Sequence, residues 1–310
     1  MTTPSYAAPG SPDASGIAPA AFPPTRLMEW SVRRELWENR SVYIAPMAVA
    51  AVMLFASAIS VIGLPHRRRA LLLLDPAQQQ AAIEKPYDTV MMMILLTAFV
   101  VGVFYCLDAL HGERRDRSIL FWKSLPVSDL TTVLSKASIP LLVLPVLSFA
   151  IILATQLIIL LLSSAVLLGS GLGSAALSSQ WKFTPSPVAL LGTVVATALW
   201  HAPIYGWLLL VSAWAKRAAF LWAVLPFVAI NVFEKMAFHT SHLTILHGYR
   251  LFGSFPQALV REGRGRFMLK PLTQLTPAEF LSRPGLWIGL AFAAAFLAVA
   301  VRLRHDREPI

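Results

Sequence analysis

The sequence predicts an all-α polytopic membrane protein built as a bundle of six transmembrane helices. Composition gives the first reason: 56% of residues are hydrophobic and 14% charged, with a mean hydropathy of +0.64. A soluble domain carries about 25% charged residues to solvate its surface, so much of this surface must meet lipid. The second reason is spacing. Apolar runs close to the ~20 residues needed to cross ~30 Å of hydrocarbon recur six times along the chain. Backbone groups find no water at that depth, so each run must close its own hydrogen bonds as a helix.

The chain opens on Met1–Thr25, rich in Pro, Ala, Ser and Gly and almost uncharged. It has neither the basic start nor the apolar stretch of a signal peptide, and reads as a disordered tail. Targeting then falls to the first span, and residues 26–310 form the membrane domain. Just before that span, Met28, Val32 and Leu36 recur at four-residue spacing and share one helix face. Trp30 and Trp37 lie a heptad apart, while Glu29, Arg33, Arg34, Glu35 and Glu38 are spread around the helix. The pattern fits a helix lying among lipid headgroups, or an ordinary basic flank to the first span.

The spans are read as Ser41–Leu64, Thr89–Leu110, Ala137–Gly169, Val188–Trp214, Ala218–Phe238 and Leu286–Leu303. The third is too long for one upright crossing, so it starts outside the hydrocarbon or tilts. Pro140 and Pro145 mark its entry or a kink. Lys216 and Arg217 mark a short turn that makes spans four and five a hairpin. The run Gly169–Gly173 follows a span rather than a strand, and reads as a flexible exit and not a nucleotide loop. His239–Pro284 mixes Tyr249, Leu251, Phe252 and Phe255 with Arg261, Glu262, Arg264 and Arg266. Short amphipathic or re-entrant helices fit it, as does a plain surface loop.

The net charge of +10 sits in short clusters between apolar runs. That placement suits anionic headgroups and topology control better than nucleic acid. With the N-terminus inside, Arg26, Arg33, Arg34, Arg40, Arg114, Arg115, Arg117, Lys123, Lys136, Lys216, Arg217, Arg302, Arg304 and Arg307 lie on the inner side. The Arg67–Arg69 cluster argues the other way, so charge alone does not fix the orientation. Cys106, the single cysteine, can form no intrachain disulfide.

The loop between spans two and three reads HGERRDRSILFWKSLPVSDLTTVLSK over His111–Lys136. A charge cluster at Glu113–Arg117 precedes Ser118–Leu125, a short run with Ile119, Leu120, Phe121, Trp122 and Leu125, interrupted by Lys123. Pro126 then breaks the chain, and Ser128 or Asp129 caps the next helix. A short amphipathic helix of this kind docks in a partner's groove or lies on the membrane; a basic loop that anchors headgroups remains the plainer reading.

This loop resembles the first cytoplasmic loop of ABC-2 type transporter permeases. The matching positions are Glu113, Arg117, Ser118, Leu120, Leu125, Pro126, Val127, Ser128, Ser135 and Lys136. The resemblance implies a coupling helix, with Phe121 and Trp122 in its middle, that seats in a cleft of a separate ABC ATP-binding subunit. The stretch Arg33–Arg40 then resembles that family's interfacial elbow helix, with Trp30, Arg33, Arg34, Glu35 and Trp37 as its residues. It further implies pairing with a second permease subunit, identical or related, and export as the direction. The expected location is a bacterial inner (plasma) membrane, multi-pass, with the N-terminus cytoplasmic.

Other polar positions in the spans are few. Asn231, Glu234 and His201 are candidates for a path or gate, since ionisable groups within a span are costly; Glu234 and Lys235 are also near enough to the interface to snorkel. His239, His242 and His247 do not share one helix face and have no carboxylate among them, so no metal site is expected. The phosphate-cradling Gly-x-x-x-x-Gly-Lys-[Ser/Thr] loop and the Gly-x-Ser-x-Gly elbow are both missing. The chain is therefore expected to be no enzyme and to hold no cofactor, with ATP and Mg bound by the partner. A secondary transporter and a non-transporting membrane anchor of a cytoplasmic complex are the alternative functions.

Overall fold

A computed structural model describes residues 24–71, 74–116, 128–171, 174–182, 184, 186–253 and 276–306. These residues are mainly helical, without a strand among them. The helices are α1 Pro24–Glu38, α2 Ser41–Ile62, α3 Leu64–Leu71, α4 Pro76–Ala109 and α5 His111–Arg115. Then come α6 Asp129–Ser138, a π-helical turn Ile139–Val143, α7 Leu144–Gly169, α8 Ser174–Lys182 and α9 Pro187–Trp214. The chain closes with α10 Ala219–Phe238, α11 His242–Phe252, α12 Pro277–Leu281 and α13 Pro284–Asp306. Six of these stretches are long and apolar enough to cross a membrane, so the protein is an all-α, multi-pass membrane protein.

The observed ends refine the expected spans. α4 begins at Pro76 rather than Thr89, roughly three and a half turns earlier. Pro76 occupies the first helical turn, where its missing N–H costs nothing. The added turns are polar, and Gln80 donates to Glu84 one turn on (2.8 Å). A helix of this length spans ~51 Å, so its start projects beyond the hydrocarbon. The third span begins at Asp129, runs through the π-helical turn, and ends at Gly169. Pro140 and Pro145 supply no N–H, and the wider turn between them absorbs that loss.

α9 is the hub. It packs along α13 and against α4 and α7, and its buried face includes Leu190, Val194, Trp200, Tyr205 and Leu209. Its contact with α13 is close because Gly206 carries no side chain: a Cβ there would lie 3.2 Å from the Ala293 backbone. Small residues permit such approach where helices cannot rely on the hydrophobic effect to associate. α9 and α10 are joined by 215–218, and Trp207 Nε1 donates to the Ala223 carbonyl (3.1 Å), so the expected hairpin is a packed one. α2 and α10 bury little of their apolar surface; Val52, Phe55, Ile62, Phe233 and Met236 point outward, as lipid-facing residues do.

At the far end, Arg68 is not an exposed topology signal. It is buried beside Tyr87, and burial pushes its guanidinium below the ordinary value, with Tyr87 acting the other way. Arg67 and Arg69 remain exposed. Within His239–Pro284, α11 is an amphipathic helix and α12 a single capped turn; residues 254–275, with Phe255 and the Arg261–Arg266 patch, lie outside the described residues.

Candidate functional site

The helices alternate in direction, so α1, the end of α4, α5, the start of α6, the end of α9 and the end of α13 meet at one end of the bundle. Charged side chains occupy that junction. Lys136 Nζ lies 2.8 Å from Glu35 Oε1 and 3.1 Å from Glu113 Oε1. Arg304 Nη1 reaches the other Glu113 oxygen at 2.6 Å, and its Nε reaches Asp129 Oδ1 at 3.0 Å. Tyr105 donates its hydroxyl to Glu35 Oε2 (2.8 Å). Glu35, Lys136 and Arg304 are each 5% exposed or less, so this is a buried ion chain and not surface decoration.

The chain places three carboxylates against two cations, and it alternates in sign from α1 to α13. The five members come from four elements: Glu35 from α1, Glu113 from α5, Asp129 and Lys136 from α6, and Arg304 from α13. Taking such groups from water is expensive, and only close pairing with further hydrogen bonds offsets it. Removing one partner leaves its neighbours charged and unsatisfied, so the chain behaves as a unit. Asp129 is also within 3.4 Å of His305 Nδ1, which adds a cation only when His305 is protonated.

A second set of contacts fixes the end of α4. Ser212 Oγ accepts from the Leu110 and His111 backbone N–H groups (3.0 and 2.9 Å) and donates to the Leu107 carbonyl (2.9 Å). Arg114 Nη1 donates to the Ala213 carbonyl at the end of α9 (2.7 Å). These bonds satisfy backbone groups that a helix end leaves open. The start of α6 is fixed by Ser128, whose Oγ accepts from Thr131 N–H, while Asp129 is committed to Arg304.

Residues 117–127 lie between these two anchored ends and outside the described residues; they include Arg117, Ser118, Leu120, Phe121, Trp122, Leu125 and Pro126. Of the loop positions that carry the resemblance, Glu113, Ser128, Ser135 and Lys136 are described, and Glu113 and Lys136 are in the ion chain. Along α1, Val32 and Leu36 pack on the core, Trp30 and Trp37 are exposed, and Arg34 bridges to Glu38 (2.6 Å). Arg33 lies over the Trp37 ring. Glu35 is thus the charge by which α1 is anchored inward, to Lys136 and Tyr105.

The intramembrane candidates separate from this site. Glu234 accepts from Thr240 Oγ1 and from the His242 and Leu243 N–H groups (2.7–3.0 Å), so its carboxylate caps α11. Asn231 Oδ1 lies 3.1 Å from His247 Nδ1, and the described residues contain no group of ligands able to hold a metal. His201 is fully buried, with Nε2 3.3 Å from the Leu251 carbonyl and its ring against Phe99. Arg250, next to Leu251, stacks over Trp200 at 4.2 Å in space left by Gly289. Burial brings its guanidinium down to about 10.

Sequence reasoning named Glu35, Glu113 and Lys136 but not their meeting. Asp129 and Arg304 were read as a helix cap and a basic flank rather than as members of the chain, and Tyr105 and Ser212 were not singled out; the available signal for Arg304 was a charge within one turn of an apolar run's end. No family model matches the chain, and no curated protein or solved structure matches it.

Proposed function

We propose that the chain is the permease subunit of an ATP-driven exporter of the ABC-2 type, forming the membrane path while a separate ATP-binding subunit supplies the chemistry. One observation carries this reading. The two ends of the loop 117–127 enter a single buried ion chain that also grips α1 and α13. A partner seated on that loop would therefore act on four elements at once, which is what transmission of a closing motion requires.

The amphipathic segment Ser118–Leu125, with Phe121 and Trp122, supplies the docking surface in this reading, and Glu113 and Lys136 hold its two roots. The six spans of one chain enclose little space, so a second permease subunit completes the path. The ion-chain end then faces the cytoplasm of a bacterial inner membrane, with the N-terminus inside. A secondary transporter would need ionisable groups deep in the spans; Glu234 is spent on a cap, which weighs against it.

The test is purification of the intact membrane protein in mild detergent with identification of what accompanies it. An ATP-binding subunit should co-purify with the native chain and be lost from the F121A/W122A variant while insertion is unchanged. A partner ATPase that stays bound to that variant would sink the docking assignment. Consistent absence of any ATPase from the native chain would favour a secondary carrier, and a cytoplasmic complex without an ATPase would favour an anchor.

A further inference from the structure

We propose that the bundle interior holds a hydration site, one or two ordered waters in a cavity between α4, the π-helical turn, α7 and α9. The cavity is lined by Phe99, Pro140, Ser148, Thr197, His201 and Tyr205 among others. Its volume is about 30 Å³, enough for about two waters at ~10–15 Å³ each. This inference does not depend on the exporter reading.

The hydroxyls make the case. A serine or threonine in a membrane helix ordinarily returns its hydroxyl to the carbonyl one turn back. Thr97, Thr155 and Thr193 all do so, to Met93, Ile151 and Ala189. Ser148 does not: it is 1% exposed, and its Oγ has no hydrogen-bond partner. Thr197 and Tyr205, on the facing helix, donate their hydroxyls to no described residue, and all three line the same space. An unmade hydrogen bond in such surroundings is costly, so three hydroxyls on one cavity call for a shared partner.

The backbone adds an acceptor. Leu144 N–H bonds the Ile139 carbonyl, and Pro145 has no N–H. The Pro140 carbonyl therefore lacks both its α-type and its π-type donor. Water can donate to that carbonyl and both donate to and accept from hydroxyls, which matches this set. An ion does not match it, because no Asp, Glu, Lys or Arg lines the cavity and an unpaired charge there would be uncompensated.

The experiment is hydroxyl-radical footprinting by microsecond X-ray radiolysis of the full chain in lipid nanodiscs, where radicals form from bound water as well as bulk. Tyr87 is the reference: it too is buried, 1% exposed against 5% for Tyr205, and its hydroxyl already accepts from Gln180 (2.8 Å). Tyr205 should be oxidised several-fold faster than Tyr87, and the excess should vanish in S148A/T197V. A native Tyr205 rate no higher than that of Tyr87 would overturn the proposal, as would an excess unchanged in a folded double variant. The native comparison decides by itself if that variant does not fold.

Discussion

Lys136→Met is the sharpest perturbation of the ion chain. Methionine keeps an unbranched side chain of similar length and removes the charge, so packing changes little while Glu35 loses its cation and Glu113 loses one of its two, keeping Arg304. At an effective dielectric of about 20, contacts of 2.8 and 3.1 Å correspond to roughly 6 and 5 kcal/mol of attraction. Desolvation of the ammonium consumes much of that in the native protein, but the desolvated carboxylates stay behind in the variant. The net loss expected is ~3–5 kcal/mol. The assay is unfolding in mixed micelles by denaturing detergent, run on native, K136M, E35Q and the E35Q/K136M double. The double should recover part of the loss, giving a coupling of about 2 kcal/mol between the two sites. A coupling below ~0.5 kcal/mol, the behaviour of an exposed pair, would refute the buried ion chain.

Two further outcomes follow from the geometry. Glu234→Ala should speed hydrogen exchange at the His242 and Leu243 amides while leaving α7 amides unchanged, because its carboxylate is their acceptor; unchanged exchange at both amides would show that the cap is not held in the membrane. Cysteines placed at Ser118 and Arg69 should react with an impermeant thiol reagent from opposite sides, Ser118 only when the cytoplasmic face is open. Cys106 is fully buried and should leave the background silent, and labelling of Ser118→Cys from outside intact cells would invert the proposed orientation.

The spans were legible because hydrocarbon thickness acts on composition alone. Ser41–Ile62, Pro187–Trp214 and Pro284–Asp306 end within two or three residues of where hydropathy puts them. The start of α4 was not legible, because Gln78–Gln80, Glu84 and Lys85 form a helix in water as well as any residue and hydropathy is blind to that. The ion chain was half legible. Glu113 and Lys136 flank a conspicuous loop, but Arg304 lies 191 residues from Glu113 and reads as one more basic flank. Only the antiparallel return of six helices brings the two together. The inward partners of Glu35 were not legible for a related reason: Met28, Val32 and Leu36 define the apolar face of α1, and nothing local marks the carboxylate beside Leu36 as the one that Lys136 and Tyr105 meet.

The placement of Lys136 relative to the proline turn gives the exporter reading its mechanical content. Lys136 belongs to α6, and the π-helical turn that holds Pro140 begins at Ile139, about one helical turn later. Kinks form where a helix loses its regular donors, and here two prolines remove donors within six residues. In the exporter reading, α6 would pivot against α7 at this turn, where the regular helix is already interrupted. Its outer end carries the loop and its inner side carries Lys136 into the ion chain, so a push on 117–127 would work against paired charges on one side of the joint and open hydroxyls on the other. Apolar helices in lipid offer no fixed register to one another. A set of alternating charges does, because each cation has a discrete set of carboxylates to pair with, and a discrete set of pairings is what a two-state element needs.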